Sequence, residues 1–240
     1  MIQSNAKIFL SDDRGLNETA WFKSCNTFNF GAYQQEHKQP FGDMYILNDD
    51  ILDGGRSLSM RAESFSWVLL LPVYGAVSFR DAKGNEGLLA AGQLELLQVD
   101  KDEVVTISNP FSDETVNFLQ VWIKGEKPAG YSTPLLSDFD VNRFQNSLVK
   151  ISPQYVGDTR LPFNLSIGKF SGRGETIFRP QRKELGTFVF VLEGAFEVEG
   201  RLLHPRDGLA LWSIEAAEME ALSNDAVILA IEVPVTSSPV

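Results

Sequence analysis

The sequence predicts an all-β protein built from two antiparallel β-barrels of the jelly-roll type. Three observations support this. Short apolar segments separated by turn residues recur along the 240 residues. Helical periodicity lasts for more than a turn or two in only one stretch. The third observation is an internal repeat, in which residues 188–194 (FVFVLEG) follow the pattern of residues 68–75 (VLLLPVYG). A repeat of a whole strand-rich unit predicts two barrels in one chain.

The first half begins with short apolar pieces and turns and then becomes regular. In residues 57–85, an alternating strand reaches a turn at Tyr74-Gly75, and a second strand ends in the hairpin turn 83–85 (KGN). Phe65, Trp67, Leu69 and Leu71 share one face of the first strand, because side chains alternate with period two. Further strands are predicted at 86–90, 94–99, 104–108 and 116–123.

The second half repeats this series after a linker. Residues 126–149 contain Pro128, Gly130 and Pro134, and a short helix is possible within 137–149. Beyond the linker, strands predicted at 188–194, 195–200, 209–212, 217–222 and 227–233 correspond to those of the first half. We therefore predict an N-terminal barrel in residues 1–125, the linker in 126–149 and a C-terminal barrel in 150–240.

Composition excludes several classes of function. The net charge of -11 is shared by both halves, so the surface repels nucleic-acid phosphates. The longest apolar stretch, residues 68–77, is about half a membrane span and contains Pro72 and Gly75. The lone cysteine, Cys25, excludes an intramolecular disulfide, and no secretory signal is apparent. A cytoplasmic protein is expected, and a monomer is favoured.

Several ordered motifs resemble the pirin-like branch of the cupin superfamily. Residues 11–33 (SDDRGLNETAWFKSCNTFNFGAY) and 41–55 (FGDMYILNDDILDGG) are similar to the opening of that family. Residues 75–85 (GAVSFRDAKGN) and 119–123 (LQVWI) are similar to its hairpin and a later strand. The resemblance is close over residues 11–123 and looser beyond. It implies two cupin barrels that face each other.

The resemblance also implies where a metal would be held. Metal-bearing members bind an iron-type ion in the N-terminal barrel through an H-x-H pair, followed two strands later by H-x-E or H-x-H. Counting back from the Gly75 turn places the first pair at Arg61 and Glu63, and counting back from Asn109 places the second at Val105 and Ile107. The chain has two histidines, His37 and His204, both in predicted turns or loops. The sequence therefore resembles the bacterial branch that lacks the metal ligands, and we expect no cofactor.

The residues at the positions of the missing metal ligands can be interpreted in two ways. Arg61 and Glu63 are expected to share the barrel mouth, either as an anchor for a small anionic ligand or as a mutual salt bridge. Trp67, with Phe65 and Phe118, is either a stacking platform for an aromatic ligand or part of the core.

Two further features also have alternative readings. Arg179 and Arg182, with Gln181, are either anion ligands or a solvated strand end. Cys25 is predicted to be a half-buried, inert thiol.

Three functions remain open at this stage. The first is a metal-free bicupin that binds a small organic ligand or a protein partner. The second is an oxidoreductase similar to quercetin 2,3-dioxygenase, the activity reported for some family members, in which Glu63 holds a weak metal or acts as an acid–base group. The third is a protein-interaction module that uses an exposed strand edge.

Overall fold

The protein is described from a computed structural model that covers residues 4–129 and 134–235. The first half of the chain contains β1 (Asn5–Phe9), β2 (Gly15–Glu18), β3 (Phe22–Asn26), β4 (Met44–Leu52), β5 (Ser57–Arg61), β6 (Ser66–Tyr74), β7 (Ala76–Arg80), β8 (Glu86–Ala90), β9 (Gln93–Val99), β10 (Val104–Ser108) and β11 (Val116–Lys124). The second half contains β12 (Leu135–Asp138), β13 (Val149–Lys150), β14 (Tyr155–Val156), β15 (Thr159–Arg160), β16 (Asn164–Phe170), β17 (Glu175–Phe178), β18 (Leu185–Glu193), β19 (Phe196–Val198), β20 (Arg201–Leu203), β21 (Gly208–Trp212), β22 (Ala217–Ala221) and β23 (Ala226–Pro234). A short 3-10 turn (Ser11–Asp13) is the sole helical element of the described residues. No helix in this part of the chain is long and apolar enough to cross a membrane.

The strands form two barrels with matching topology, which confirms the predicted all-β fold. The larger N-terminal sheet has the order β12-β9-β6-β11-β4-β3-β2, and the larger C-terminal sheet has the order β1-β21-β18-β23-β16-β13. Each is completed by a four-stranded sheet, β5-β10-β7-β8 in one barrel and β17-β22-β19-β20 in the other. Apart from β2, which has no counterpart in the six-stranded C-terminal sheet, the second barrel therefore repeats the strand order of the first.

The two large sheets are buried on both faces, which explains their nearly continuous apolar sequences. In β11, Phe118 and Trp122 face the interior of the N-terminal barrel, whereas Leu119 and Val121 face the other way. Leu119 and Val121 belong to one core that also contains Phe188 of the C-terminal sheet. The large sheets therefore pack against each other, and this inter-barrel core holds the two barrels together.

Both barrels turn at an equivalent glycine after their longest central strand. Gly75 follows β6 with φ +77°, and Gly194 follows β18 with φ +72°. A Cβ at Gly75 would lie 2.8 Å from Val116, and one at Gly194 would lie 2.7 Å from Ala226. Because only glycine combines this backbone angle with so close an approach, the same turn chemistry recurs in both repeats.

The prediction of a possible short helix within residues 137–149 is wrong. β12 instead adds an antiparallel strand to the edge of the N-terminal sheet, with Leu135 opposite Leu96. Asp140 then caps a turn through its side chain, and Asn146 adopts a φ of +56°. The unpaired edge of β9 provides backbone partners that a short isolated helix cannot match. Gly130 of the predicted linker lies outside the described residues.

One strand crosses the predicted division of the chain. β1 precedes the N-terminal barrel in sequence but pairs with β21 of the C-terminal sheet, where Phe9 lies opposite Gly208. The Phe9 ring lies 5.4 Å from the rings of both Phe28 and Phe188, between the barrels. The division into residues 1–125 and 150–240 stays a prediction. β1 lies in the first of these ranges but is a strand of the C-terminal sheet.

Candidate functional site

The inward face of the small N-terminal sheet is apolar. β5 and β10 pair so that Met60 lies opposite Val105 and Leu58 lies opposite Ile107. Val105 and Ile107 are fully buried in the barrel core, and Leu58 and Met60 pack against the same core. Directly paired residues share one face of a sheet. These four side chains therefore line the interior where the resemblance implies a metal.

The expectation that Arg61 and Glu63 share the barrel mouth is wrong. Both are exposed, and Arg61 donates from Nη1 to the backbone oxygen of Asp102 at 2.9 Å. No ion pair joins the two within the described chain. The reason is the alternation within β5: Leu58 and Met60 point into the barrel, so Arg61 points outward, and Glu63 lies beyond the end of the strand.

Trp67 is a core residue of the inter-barrel contact. Its side chain is 1% exposed and lies edge-on to Phe65 at 5.3 Å and to Phe163 at 6.0 Å. A flat ligand stacked on the indole would have to displace these rings. Of the two readings of Trp67, the structure therefore supports the core.

These residues do not fit a transition metal at the position that the resemblance implies. Among Leu58, Met60, Val105 and Ile107, the only donor atom is the Met60 thioether, whereas a transition-metal site needs convergent imidazole, carboxylate or thiolate groups. Within residues 4–129 and 134–235, no three His, Cys, Asp or Glu side chains come together to hold a metal.

A buried polar network lies deeper in the same barrel. Asp50 is fully buried, and Gln120 donates from Nε2 to its Oδ2 at 2.5 Å. Trp122 donates in turn from Nε1 to Gln120 Oε1 at 3.2 Å. Burial raises the pKa of Asp50 to about 7, and hydrogen bonds from Ser24 and Gln120 oppose the shift. The network has no access to solvent, so its role is in the barrel core.

Matching positions of the two large sheets carry opposite side chains. In the N-terminal barrel, β4, β11 and β6 place Ile46, Trp122 and Val68 side by side, and we name this set the apolar rung. In the C-terminal barrel, the matching strands β16, β23 and β18 place Asn164, Glu232 and Thr187 side by side, and we name this set the polar rung. All six side chains are at most 6% exposed.

The polar rung stands at the mouth of the C-terminal barrel. A cavity of about 300 Å³ opens there, lined by Glu232, Ser166, Lys150 and Arg179 among others. The backbone N–H of Gln181 donates to Glu232 Oε1 at 2.7 Å. Burial raises the pKa of Glu232, while hydrogen bonds from Gln181 and Asn164 and nearby positive charge lower it. The mouth therefore combines a buried carboxyl group with a basic rim.

The two predicted arginines of this region have different surroundings. Arg179 is exposed at the rim and has no ion pair in the described residues. Arg182 donates from Nη2 to the backbone oxygen of Pro162 at 3.0 Å and lies 3.6 Å from a Glu184 carboxylate oxygen. Arg179 is thus available to a ligand, whereas Arg182 is held in place.

Two further clefts lie between the barrels, on either side of residues 139–141. They measure about 400 Å³ and 650 Å³ and share the apolar side chains of Phe139, Val141 and Ile167. Lys169, at one edge, is engaged by Asn142 Oδ1 at 3.1 Å and Asp225 Oδ1 at 3.0 Å.

The histidines and the cysteine form no site with one another. His37 and His204 are both exposed, in separate loops. Cys25 is half-buried, and its pKa is raised, with burial as the largest cause and Arg14 opposing it. A raised thiol pKa favours the predicted inert thiol.

Sequence reasoning missed the most polar buried residues. Glu232 is the only charged residue within residues 226–234 (AVILAIEVP), a strand that is otherwise apolar. A charge in a run of that kind signals a buried carboxyl group. Thr187 and Asp50 carry weaker signals, because threonine is common in strands and Asp50 stands among other turn-like acids.

The fold and the two barrel interiors define a bicupin, and comparison with known proteins agrees. The family model described as the quercetinase C-terminal cupin domain matches residues 163–233. Quercetin 2,3-dioxygenase of Escherichia coli K12 is 23% identical over 221 residues, covering 91% of this chain and 95% of that protein. A pirin-like protein of Caulobacter vibrioides is 21% identical over 222 residues, covering 91% and 95%.

A solved structure extends this likeness to the whole fold. The bacterial pirin YhhW of Escherichia coli, in complex with nickel(II), superposes with a TM-score of 0.82 at 21% identity, covering 97% of this chain and 100% of that one. Together with the domain match in the C-terminal barrel, these likenesses agree with the sequence motifs. The C-terminal barrel contains a quercetinase-type cupin domain, and most of the chain is similar to pirin-like and quercetinase-type cupin proteins.

Proposed function

We propose that this chain is a pirin-related bicupin that binds a small organic ligand without a metal in its N-terminal barrel. One observation supports this above all: the inward rows of β5 and β10 are Leu58, Met60, Val105 and Ile107. Aliphatic side chains bury favourably and close the space that a metal and its open coordination position need. The ligand then binds elsewhere on the bicupin.

The first test measures metal content and activity together. The protein is expressed in medium containing iron, nickel, copper and zinc, and its metal content is measured by mass spectrometry. Quercetin consumption is followed with the Escherichia coli quercetin 2,3-dioxygenase as the positive control. We expect well below one metal per chain and no quercetin turnover. About one transition metal per chain, or turnover comparable with the control enzyme, would contradict the proposal.

A second test uses the pairing of β5 with β10. One variant carries Leu58→His, Met60→His, Val105→His and Ile107→Glu. Its matched control keeps the two β10 changes and replaces the β5 pair by Arg61→His and Glu63→His. We expect nickel to raise the melting temperature of the first variant only, because only its four ligands share the barrel interior. A nickel effect confined to the control would show that Arg61 and Glu63 are the inward positions.

We also propose a cytoplasmic monomer. A single half-buried Cys25 suits a reducing compartment. Cell fractionation and size-exclusion chromatography check the two statements, and recovery from an extracytoplasmic fraction or elution as a dimer would contradict them respectively.

A further inference from the structure

The mouth of the C-terminal barrel carries a buried carboxyl group that is hydrogen-bonded but has no ion-pair partner, and a buried hydroxyl that has no hydrogen-bond partner. Glu232 is 1% exposed, and no cation lies within ion-pair distance of it in the described residues. Thr187, directly opposite on β18, is fully buried, and its Oγ1 has no hydrogen-bond partner. An unpaired buried hydroxyl costs free energy, and so does a carboxylate without a counter-charge.

The matching position of the N-terminal barrel shows that the fold does not require these groups. There the apolar rung fills the same three places with Ile46, Trp122 and Val68. Both barrels keep the same strand order and pairing around their rungs. The polar rung is therefore a property of the C-terminal site and not of the architecture.

Positive charge surrounds this carboxyl group although the protein is acidic. Lys150 lies opposite Ser166, and both line the cavity with Arg179 and Glu232. Arg182 is also close enough to influence Glu232 electrostatically. In a chain with a net charge of -11, such a rim attracts an anionic group.

We infer that this mouth binds a small hydroxylated carboxylate, whose carboxylate contacts Arg179 and Lys150 and whose hydroxyl donates to Glu232. Arginine and lysine form charge-assisted hydrogen bonds with carboxylates. The group that contacts Glu232 is better a hydroxyl than an ammonium, because the positive charges of Lys150, Arg179 and Arg182 would repel an ammonium group. The inference rests on the proposed ligand-binding function and names its ligand class.

The test uses D-gluconate as the probe and isothermal titration calorimetry on the full chain. Acetate supplies the carboxylate alone, glucose supplies hydroxyls alone, and β-alanine pairs a carboxylate with an ammonium group. We expect saturable gluconate binding with a dissociation constant below about 1 mM, and binding of each comparator at least about tenfold weaker. Absence of gluconate binding, or equal binding of any comparator, would overturn the inference.

Variants locate the binding. Arg179→Gln removes an exposed side chain without an ion pair, so the variant should fold, and we expect it to weaken gluconate binding about tenfold. The matched control is Lys183→Gln, which removes one exposed charge from the same loop outside the cavity lining. Binding that Arg179→Gln leaves unchanged, or that Lys183→Gln weakens equally, would overturn the assignment to this mouth.

Metal content measured on the same preparation separates the two claims. Metal-free protein that fails to bind gluconate overturns the ligand class alone. About one metal per chain overturns the proposed function instead.

Discussion

The two barrels of this chain share one backbone plan and differ in what they enclose. The apolar rung closes the N-terminal barrel around Trp122, which is fully buried. The polar rung places Glu232 at the corresponding point of the C-terminal barrel, beside a cavity of about 300 Å³. Strand pairing around the two positions is the same. In a duplicated fold, a single row of side chains can therefore make one barrel a closed apolar core and give the other a polar mouth.

The two barrels also place their buried acidic groups at different distances from solvent. The N-terminal barrel buries Asp50 away from solvent, where Gln120 donates to its Oδ2 and its Oδ1 has no hydrogen-bond partner. In the C-terminal barrel, Glu232 faces an opening whose rim includes Lys150. Asp50 therefore lies inside a closed interior, whereas Glu232, although buried, lines a cavity.

The largest expected effect comes from removing the tryptophan of the apolar rung. Trp122→Ala creates a cavity in a fully packed core and removes the indole donor to Gln120. We expect it to lower the free energy of unfolding by about 3–5 kcal/mol, measured by urea denaturation.

Glu232→Ala at the matching place serves as the comparison. It leaves the Gln181 N–H and the Asn164 side chain without their acceptor, so we expect a cost of about 1 kcal/mol. Equal losses in the two variants would show that the polar rung is as essential to packing as the apolar rung.

The sequence predicted most of the fold because the signals were local. Alternating apolar residues, glycine turns and the repeat of VLLLPVYG by FVFVLEG are enough to indicate two barrels from the sequence alone. Two edge strands were missed because they depend on distant partners. β1 pairs with a strand about 200 residues away, and β12 forms only because the edge of β9 is unpaired.

The site was predicted less well, for a reason of geometry. Counting back from the Gly75 turn did not identify the inward face of β5, since the chain leaves strand geometry between the end of β5 and the start of β6. Val105 and Ile107 were placed inside correctly by the second count. Arg61 and Glu63 were placed on the wrong side, because a shift of one residue in a strand reverses every side chain.

A smaller, pH-dependent effect should come from the closed barrel. Burial raises the pKa of Asp50 to about 7, against about 3.9 for an aspartate in an unfolded chain. Between these values the folded state holds a proton that the unfolded state has lost, so stability falls as the pH rises from about 4 to about 7. The loss is at most about 4 kcal/mol at about 1.4 kcal/mol per pKa unit.

Urea denaturation across this pH range measures the effect, and Asp50→Asn should lack it. Burial also raises the pKa of Glu95 to about 7 with the same sign, so Glu95→Gln is measured in parallel to separate the two. If Asp50→Asn keeps the full slope of the parent protein, the carboxyl group of Asp50 does not titrate in this range.

A change in stability of about the size expected for Glu232→Ala, but of opposite sign, distinguishes a ligand site from an imperfect core. Thr187 is fully buried, and its hydroxyl oxygen has no partner. Thr187→Val keeps the shape and removes the unpaired hydroxyl, so we expect the free energy of unfolding to rise by about 1 kcal/mol. If a ligand supplies the partner that this hydroxyl lacks, the same variant should also bind gluconate more weakly. A variant that is more stable and binds unchanged would show that the hydroxyl of Thr187 has no part in binding, whereas a less stable variant would show that the hydroxyl is hydrogen-bonded in solution.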